Sequence, residues 1–266
     1  MGVKNAITIK EELCVGCGLC VADCPNSYLE LDGGKAKPAG PSCIECGHCF
    51  AICPENAVIM NNYDTSDCED AVPMTQIDSD VLLAAMKSRR TVRRFLDKEV
   101  EPEKIKKIIE AGRYCQTAGN GQTVEFTILG EKQKEIEKTC VSMFRFFFRV
   151  GSVFDASMRR RTIDDNFFFK GAPLVIIVSG KGDMNRGLAS SYMELMAESL
   201  GLGVLISGFT EGCLLLNPFL RSKAGLKKGR KIYSVMVIGY PAVKYRRTVP
   251  RKPAKVSITG GKSKSF

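Results

Sequence analysis

The sequence predicts an α+β fold in two domains of different size. Three observations support this prediction. After residue 79, apolar residues recur at the spacing of helices and of strands, and the predicted helices outnumber and separate the predicted strands. Eight of the twelve cysteines lie between residues 14 and 53. Residues 1–70 contain 4 Lys or Arg and 11 Asp or Glu, whereas residues 71–266 contain 35 and 18, so the two parts differ in the sign of their net charge.

The composition is typical of a globular protein. Of the 266 residues, 44% are apolar and 26% are charged, a balance that excludes disorder for most of the chain. The longest uninterrupted apolar run, PLVIIV at residues 173–178, is too short to cross a membrane. The first residues match neither a secretory signal nor a myristoylation motif. We therefore expect a cytoplasmic protein without a membrane partner.

Two cysteine runs dominate the small N-terminal domain. Both runs have the spacing C-x2-C-x2-C-x3-C, and both are followed by proline. This spacing is typical of bacterial ferredoxins with two [4Fe–4S] clusters, in which the fourth cysteine of each run binds the other cluster. We expect one cluster to be bound by Cys14, Cys17, Cys20 and Cys53, and the second by Cys43, Cys46, Cys49 and Cys24.

Other roles explain the cysteine pattern less well. Zinc sites pair cysteines across a longer loop and need neither a third close cysteine nor a trailing proline. Disulfides need an oxidising compartment, which the sequence does not indicate. The resemblance to two-cluster ferredoxins covers residues 1–62, with apolar strands expected near residues 6–9 and 57–60. Residues 63–78 are polar and acidic, and they are predicted to form a linker.

The larger domain alternates helices with strands. Ser79 is predicted to cap its first helix, Pro102 to lie in the first turn of the second, and Gly201 to end the fourth. The predicted helices cover residues 80–90, 101–115, 131–149 and 183–200, and the predicted strands cover residues 124–130, 173–180 and 231–240.

Two polar segments of this domain have a composition suited to ligand binding. The segment SRRTVRRF, residues 88–95, places four arginines just past the first helix. Arginine binds phosphate through paired hydrogen bonds, and a neighbouring hydroxyl adds a donor. The same charges would also stabilise the C-terminal end of the helix. Taken alone, QTAGNGQTVEF at residues 116–126 predicts only a polar loop before a strand.

Together, the two segments resemble the nitroreductase family of FMN enzymes. The resemblance continues through GAPLVIIV, SLGLGVLISGF and GYPAVKYRRTVPRK in the same order, and it covers residues 79–257. It implies that the arginine segment and a basic residue near the C-terminus hold the FMN phosphate. It also implies that the polar loop reaches the flavin, often from the partner subunit, and that a backbone N–H approaches flavin N5. The residues implied are Arg89, Arg90, Thr91, Arg93 and Arg251 for the phosphate, Gln116, Thr117, Ala118, Asn120 and Gln122 for the loop, and Gly208 for N5.

The sequence departs from the family pattern in a few positions. Gln116-Thr117 stands where the loop commonly has Pro-Ser, and Gln122-Thr123-Val124 stands where it commonly has Gln-Pro-Trp. Thr91 replaces a serine of the arginine motif. Because hydroxyl groups persist, we expect FMN binding to persist as well. The departures instead affect the expected substrate pocket, for which Phe209 is the predicted wall, whereas most other clustered phenylalanines are expected at a subunit interface.

Together, these inferences predict a cytoplasmic oxidoreductase that contains flavin and iron–sulfur clusters. It comprises a ferredoxin domain (1–62), a linker (63–78) and a nitroreductase-like domain (79–266). Clusters pass single electrons, whereas a flavin collects two and delivers them to a nitroaromatic, a quinone or a similar conjugated acceptor. The resemblance implies a homodimer with FMN at the interface, and reduced ferredoxin or NAD(P)H as the donor. No catalytic side chain is predicted, because the only histidine, His48, lies in a cysteine run.

Two other functions stay open on the sequence alone. The first is a non-catalytic electron carrier whose larger domain docks partners. The second is an iron–sulfur protein that binds nucleic acid through its C-terminal face, since 14 Lys or Arg and no acidic residue follow Glu211. That segment lacks interleaved aromatic residues and a recognised binding module. An acidic protein surface is therefore a more economical partner for it than a nucleic acid.

Overall fold

The computed structural model describes residues 3–40, 42–151, 162–181, 187–259 and 264–265. The chain forms two units. The first unit comprises Met1–Pro73 and Gln116–Thr123, and the second comprises Met74–Cys115 and Val124–Phe266. The predicted linker is thus divided at Pro73. The polar loop belongs to the first unit, although its neighbours in sequence belong to the second.

The first unit contains two short strand pairs and two short helices. Its elements are β1 (Ile7–Ile9), α1 (Leu19–Ala22), β2 (Leu29–Asp32), β3 (Lys35–Pro38), α2 (His48–Ile52) and β4 (Val58–Met60). β1 pairs with β4, which confirms the two strands predicted from the sequence. The additional hairpin of β2 and β3 turns at Gly33-Gly34, where both residues have positive φ. Such a two-residue turn suits the twist of a hairpin and favours glycine.

Both short helices begin after a glycine in the left-handed conformation. Gly18 has a φ of +76° and Gly47 a φ of +77°. Residues with a Cβ rarely adopt this conformation, so glycine allows each cysteine run to turn directly from a loop into a helix. Cys20 in α1 and Cys49 in α2 are consequently buried. Each helix then carries the chain away from the first three cysteines of its run.

The second unit is built on a four-stranded sheet. Its elements are α3 (Ser79–Ser88), α4 (Pro102–Arg113), β5 (Glu125–Ile128), α5 (Gln133–Gly151), β6 (Leu174–Gly180), α6 (Leu188–Ser199), β7 (Gly203–Ile206), α7 (Gly208–Leu216), α8 (Pro218–Lys223), β8 (Lys231–Gly239), β9 (Lys255–Val256) and β10 (Lys264–Ser265). The strand order is β5-β6-β8-β7, and all neighbouring pairs are antiparallel. The predicted elements are present where the structure describes them, and β7, α7, α8, β9 and β10 are additional. A search of the described helices finds none with an apolar stretch of the length that a bilayer requires.

β6 is buried along its whole length and separates two apolar clusters. Val175 and Ile177 belong to a cluster that includes residues of α5, α7 and α8. Leu174, Ile176 and Val178 belong to a second cluster that includes residues of α4 and α6. Because successive side chains of a strand point to opposite faces, β6 supplies apolar surface to both helix layers. The unbroken run PLVIIV is explained by this two-sided burial.

The cap of α3 differs from the one predicted. Asp78, not Ser79, is the N-cap residue of this helix. Its carboxylate accepts hydrogen bonds from the N–H groups of Asp80 and Val81, both at 2.9 Å. A carboxylate at the N-cap satisfies free amides of the first turn and also interacts favourably with the helix dipole. Ser79 is therefore the first helical residue.

The arginine segment that follows α3 lies along β7. The Val92 N–H donates to the carbonyl of Val204 at 3.0 Å, and Thr91 forms a parallel bridge with Val204. This close approach requires Gly203, because a Cβ there would lie 2.4 Å from Cγ2 of Val92. The position of the arginines in the second unit thus depends on one residue without a side chain.

We expect Gly203→Ala to lower the free energy of unfolding by about 1–3 kcal/mol, the usual cost of overpacking. The added methyl group overlaps Val92, and Val92→Ala removes the overlapping atoms. The free energy of unfolding of the double variant should therefore be higher than the value obtained by adding the effects of the two single substitutions. Gly212→Ala in α7 is the control, because a Cβ there meets no atom within 4 Å. Urea unfolding followed by circular dichroism measures the wild type and all four variants. Equal effects of the two glycine substitutions would contradict the packing argument.

Candidate functional site

The eight motif cysteines meet in two groups of four. One small cavity of the first unit is lined by Cys14, Cys17, Cys20 and Cys53. A second is lined by Cys43, Cys46, Cys49 and Cys24. These are the two ligand sets expected from the motif spacing. The exchange of the fourth cysteine between the groups follows from α1 and α2, which separate it from the other three in each run.

Backbone amides point at the sulfurs of both groups. The four N–H···S contacts are Ala36 to Cys14 at 3.5 Å, Ala57 to Cys53 at 3.3 Å, Tyr28 to Cys24 at 3.2 Å and Glu45 to Cys43 at 3.2 Å. A sulfur that accepts an N–H bond is stabilised as a thiolate, the form that binds iron. Each group thus contains four cysteines, two of which accept such a bond, and four cysteines are the donor set of a [4Fe–4S] cluster. The residues present therefore fit one cluster in each group.

Burial shapes the acidity of these thiols. It raises the pKa of Cys20 and Cys43, and it raises the pKa of Cys49 to about 12. The pKa of Cys14 is lowered instead, chiefly because its sulfur accepts the N–H of Ala36. Buried thiols of raised pKa are protonated at neutral pH until a metal displaces the proton. Iron binding to this unit should therefore release protons.

Arg89 and Arg90 of the arginine segment differ in their partners. Arg89 Nη1 lies 2.7 Å from Glu194 Oε1 in a half-buried ion pair. Arg90 donates from Nη1 to the Arg89 carbonyl, but its Nε and Nη2 are buried without a partner among the described residues. An unsatisfied buried donor is costly unless a ligand accepts from it. Arg90 therefore fits a bound anion such as the FMN phosphate.

Two carboxylates of α6, Glu194 and Glu198, lie near Arg89, and neither was predicted from the sequence. Glu194 and Glu198 lie four residues apart and so share one face of the helix. Burial, with the charge of Glu194, raises the pKa of Glu198, whose Oε1 has no partner among the described residues. The spacing of the two residues was visible in the sequence. That Arg89 lies opposite them was not, because the pairing spans 105 residues.

An open cleft of about 590 Å³ lies at the end of β7. It is lined by Arg93, Phe167, Phe168, Lys170, Leu205, Ile206, Ser207, Gly208 and Phe209. The described lining residues include two cations and no carboxylate. Gly208 starts α7, and the N-cap residue Ser207 forms no side-chain cap bond in the described structure, since its hydroxyl pairs with Thr210 at 2.7 Å. Amides at the start of this helix are thus available to a ligand.

Aromatic rings form one wall of the cleft. The ring centroid of Phe209 lies 5.1 Å from that of Phe144 and 6.1 Å from that of Phe167. Glu137 fixes this wall from behind, because one carboxylate oxygen accepts the N–H groups of Phe168 at 3.1 Å and Phe169 at 2.7 Å. Burial raises the pKa of Glu137. Within the described part of the chain, these rings therefore line a cleft or pack in the core.

Five of the predicted flavin residues are in the polar loop, which belongs to the first unit. Asn120 and Gln122 donate to the Glu45 carbonyl and the Tyr63 hydroxyl within the first unit, at 2.6 and 3.2 Å. Thr117 accepts the Gln122 N–H at 3.0 Å, and Gln116 and Ala118 are exposed. Arg251 is exposed between β8 and β9. The structure thus brings Arg93 and Gly208 together at one cleft, and it keeps the polar loop in the first unit.

Solved structures share the fold of the second unit. A nitroreductase with bound FMN from Bacteroides fragilis has a TM-score of 0.54 and 22% identity, covering 68% of this chain and all of that one. A nitroreductase with bound FMN from Desulfitobacterium hafniense has a TM-score of 0.55 and 20% identity, with the same coverage. At such identities the likeness shows the fold alone. It confirms the predicted α+β fold of the larger domain.

Comparison of sequences identifies the family. An NADPH-dependent oxidoreductase of Staphylococcus haemolyticus is 29% identical over 137 residues, which are 49% of this chain and 54% of the relative. The chain thus spans about half the length of this curated relative. Residues 6–54 match the model of a 4Fe-4S dicluster domain, and residues 86–240 match that of the nitroreductase family. The chain therefore belongs to the nitroreductase family and carries a 4Fe-4S dicluster domain ahead of its nitroreductase domain.

Proposed function

We propose that the protein is a cytoplasmic, FMN-dependent oxidoreductase with two [4Fe–4S] clusters. Its acceptor is a planar conjugated molecule such as a nitroaromatic or a quinone, and its donor is NAD(P)H or reduced ferredoxin. The observation that supports it most is the cleft at Gly208, which lies in the same chain as two complete cysteine quartets. A non-catalytic electron carrier has no need for such a cleft. When bound, the clusters supply single-electron transfer and FMN supplies two-electron transfer.

Arg90 would hold the phosphate of FMN. Its two buried nitrogens without a partner supply charge-assisted hydrogen bonds, and the hydroxyl of the adjacent Thr91 would add a further donor. Arg89 braces the segment through its ion pair with Glu194. The resemblance adds Arg251 to this site, and it adds Gln116, Thr117 and Ala118 as contacts from a partner subunit.

Arg93 and Gly208 would orient the flavin ring in the cleft. The Gly208 N–H lies at the positive end of the helix dipole of α7, so it favours an electron-rich ring atom. The positive charge of Arg93, in the same cleft, favours a ring that gains negative charge on reduction. Phe167, Phe168 and Phe209 exclude water and offer flat apolar surface to an aromatic acceptor.

A second copy of the chain would cover the apolar surface that the second unit leaves exposed. None of the residues of α3 is buried in the described structure, although this helix contains Val81, Leu83 and Met86. Phe146 of α5 and Phe219 of α8 are 64% and 88% exposed. Clustered exposed apolar groups typically mark an interface. The proposed enzyme is accordingly a homodimer.

We expect about eight iron atoms and one FMN per chain after purification without oxygen, as two four-iron clusters require. Cys17→Ser and Cys46→Ser, one in each ligand set, should each lower the iron content by about half. Cys68→Ser is the control, because this exposed cysteine lies in neither set. Iron analysis and mass spectrometry of the released flavin provide the measurement. A full iron content without FMN, even after FMN is added, would favour the electron carrier.

Arg90→Gln should raise the Kd for FMN about 10- to 100-fold. The estimate corresponds to a lost charge-assisted hydrogen bond of about 1.5–3 kcal/mol. Arg94→Gln is the matched control, because Arg94 belongs to the same segment but its side chain is exposed. Quenching of flavin fluorescence on titration measures both affinities. If the two variants bind FMN equally well, the phosphate does not contact Arg90.

Lys170→Gln should raise KM for a negatively charged acceptor such as 4-nitrobenzoate about fivefold. A partly exposed cation contributes up to about 1 kcal/mol to binding an anion, and Lys170 is one of the two cations among the described residues that line the cleft. The KM for uncharged nitrobenzene should stay unchanged. Lys228→Gln, at an exposed position outside the cleft lining, is the control. An equal rise for both acceptors would indicate a change of shape rather than of charge.

A further inference from the structure

The polar loop of residues 116–123 is bonded to the ligand loop of the second cysteine group. Asn120 Nδ2 donates to the backbone carbonyl of Glu45 at 2.6 Å. Glu45 lies between Cys43 and Cys46, and its own N–H donates to the Cys43 sulfur at 3.2 Å. One residue, Glu45, therefore connects the polar loop to a sulfur of the proposed cluster.

Strained backbone lies on both sides of this connection. Glu45 has a φ of +54°, Asn120 a φ of +51° and Gln122 a φ of +43°. Asparagine adopts this region readily, whereas a residue such as glutamate or glutamine does so at a cost of about 1–3 kcal/mol. Such conformations persist only where the surroundings hold them. The bonds from Asn120 to Glu45 and from Gln122 to Tyr63 provide that support.

The other sulfur contacts do not need such support. Ala36 lies within β3, and Tyr28 and Ala57 immediately precede β2 and β4. Strand pairing holds Ala36, and the carbonyls of Tyr28 and Ala57 accept backbone N–H bonds that extend the same strand pairs, so all three donors are held by backbone contacts. Glu45 belongs to no helix or strand of the described structure. Its hydrogen bond from Asn120 takes the place of the strand pairing that holds the other donors.

We propose that Asn120 is a positioning residue for the cluster bound by Cys24, Cys43, Cys46 and Cys49, and that it raises the reduction potential of that cluster alone. The inference rests on the proposed cluster assignment. N–H···S bonds stabilise the reduced cluster, which carries more negative charge than the oxidised one. Asn120 holds the Glu45 backbone so that its N–H stays directed at Cys43. The two clusters of the protein consequently respond differently to changes in this loop.

The experiment uses the full chain with its clusters in place. Asn120→Gly and Asn120→Asp both remove the amide donor and tolerate a positive φ, and only the second adds a charge. Asn62→Ala is the matched control, because the Asn62 amide donates to the Glu45 carboxylate at 2.7 Å and not to its carbonyl. Potentiometric titration followed by low-temperature electron paramagnetic resonance gives the potential of each cluster, and iron analysis confirms that both are present.

In both Asn120 variants, we expect one of the two cluster potentials to become more negative while the other stays at its wild-type value. The Asn62→Ala protein should match the wild type. With two clusters present, unchanged potentials in both Asn120 variants, or an equal shift of both clusters, would overturn the inference. Absence of clusters from the wild-type protein would instead overturn the cluster assignment, and the inference with it.

Hydrogen exchange of the wild-type protein with its clusters in place gives a second test that does not depend on folding of a variant. If the bonded loop favours the reduced cluster, reduction of the cluster favours the bonded loop by the same free energy. Reduction with dithionite should therefore decrease deuterium uptake by peptides covering residues 116–123. Equal uptake by the oxidised and reduced proteins would show that the loop is independent of the cluster, contrary to the proposal.

Discussion

The second unit depends on the burial of β6 on both faces. A strand with apolar side chains on each side can pack one helix layer against either face, and this fixes the layers around the sheet. Because β8 pairs with β6 and β7 pairs with β8, the position of β7 follows. β7 in turn pairs with the arginine segment and ends at the cleft. The residues proposed to bind FMN in the second unit thus take their positions from one buried strand.

The first unit is stabilised in a different way. Its apolar cluster is small and includes several of the motif cysteines themselves. A domain of this size buries little apolar surface, so a bound metal adds appreciably to its stability. Metal binding and folding are therefore coupled in this unit, because the thiols that would bind iron also occupy its interior. The chemistry of the clusters and the stability of the fold cannot be separated here.

Positive groups of the arginine segment are only partly matched by carboxylates among the described residues. Arg89 meets Glu194, whereas Nε and Nη2 of Arg90 are buried and have no partner among the described residues. Buried donors without a partner cost free energy, and an anionic ligand that accepts from them recovers it on binding. The cleft adds Arg93 and Lys170 without a carboxylate among its described lining residues. Both the arginine segment and the cleft therefore favour the binding of negatively charged or electron-rich groups.

The sequence by itself determined the features that are local in the chain. The cysteine spacing specified two groups of four, and hydrophobic periodicity specified most helices and strands, because both signals extend over few residues. The tertiary structure alone decided the pairing of Arg89 with Glu194, the place of Phe167 in the cleft, and the bond from Asn120 to Glu45. These contacts join residues that are distant in sequence, and they form only after the chain has folded. A polar loop such as 116–123 has many possible partners, and its composition does not select among them.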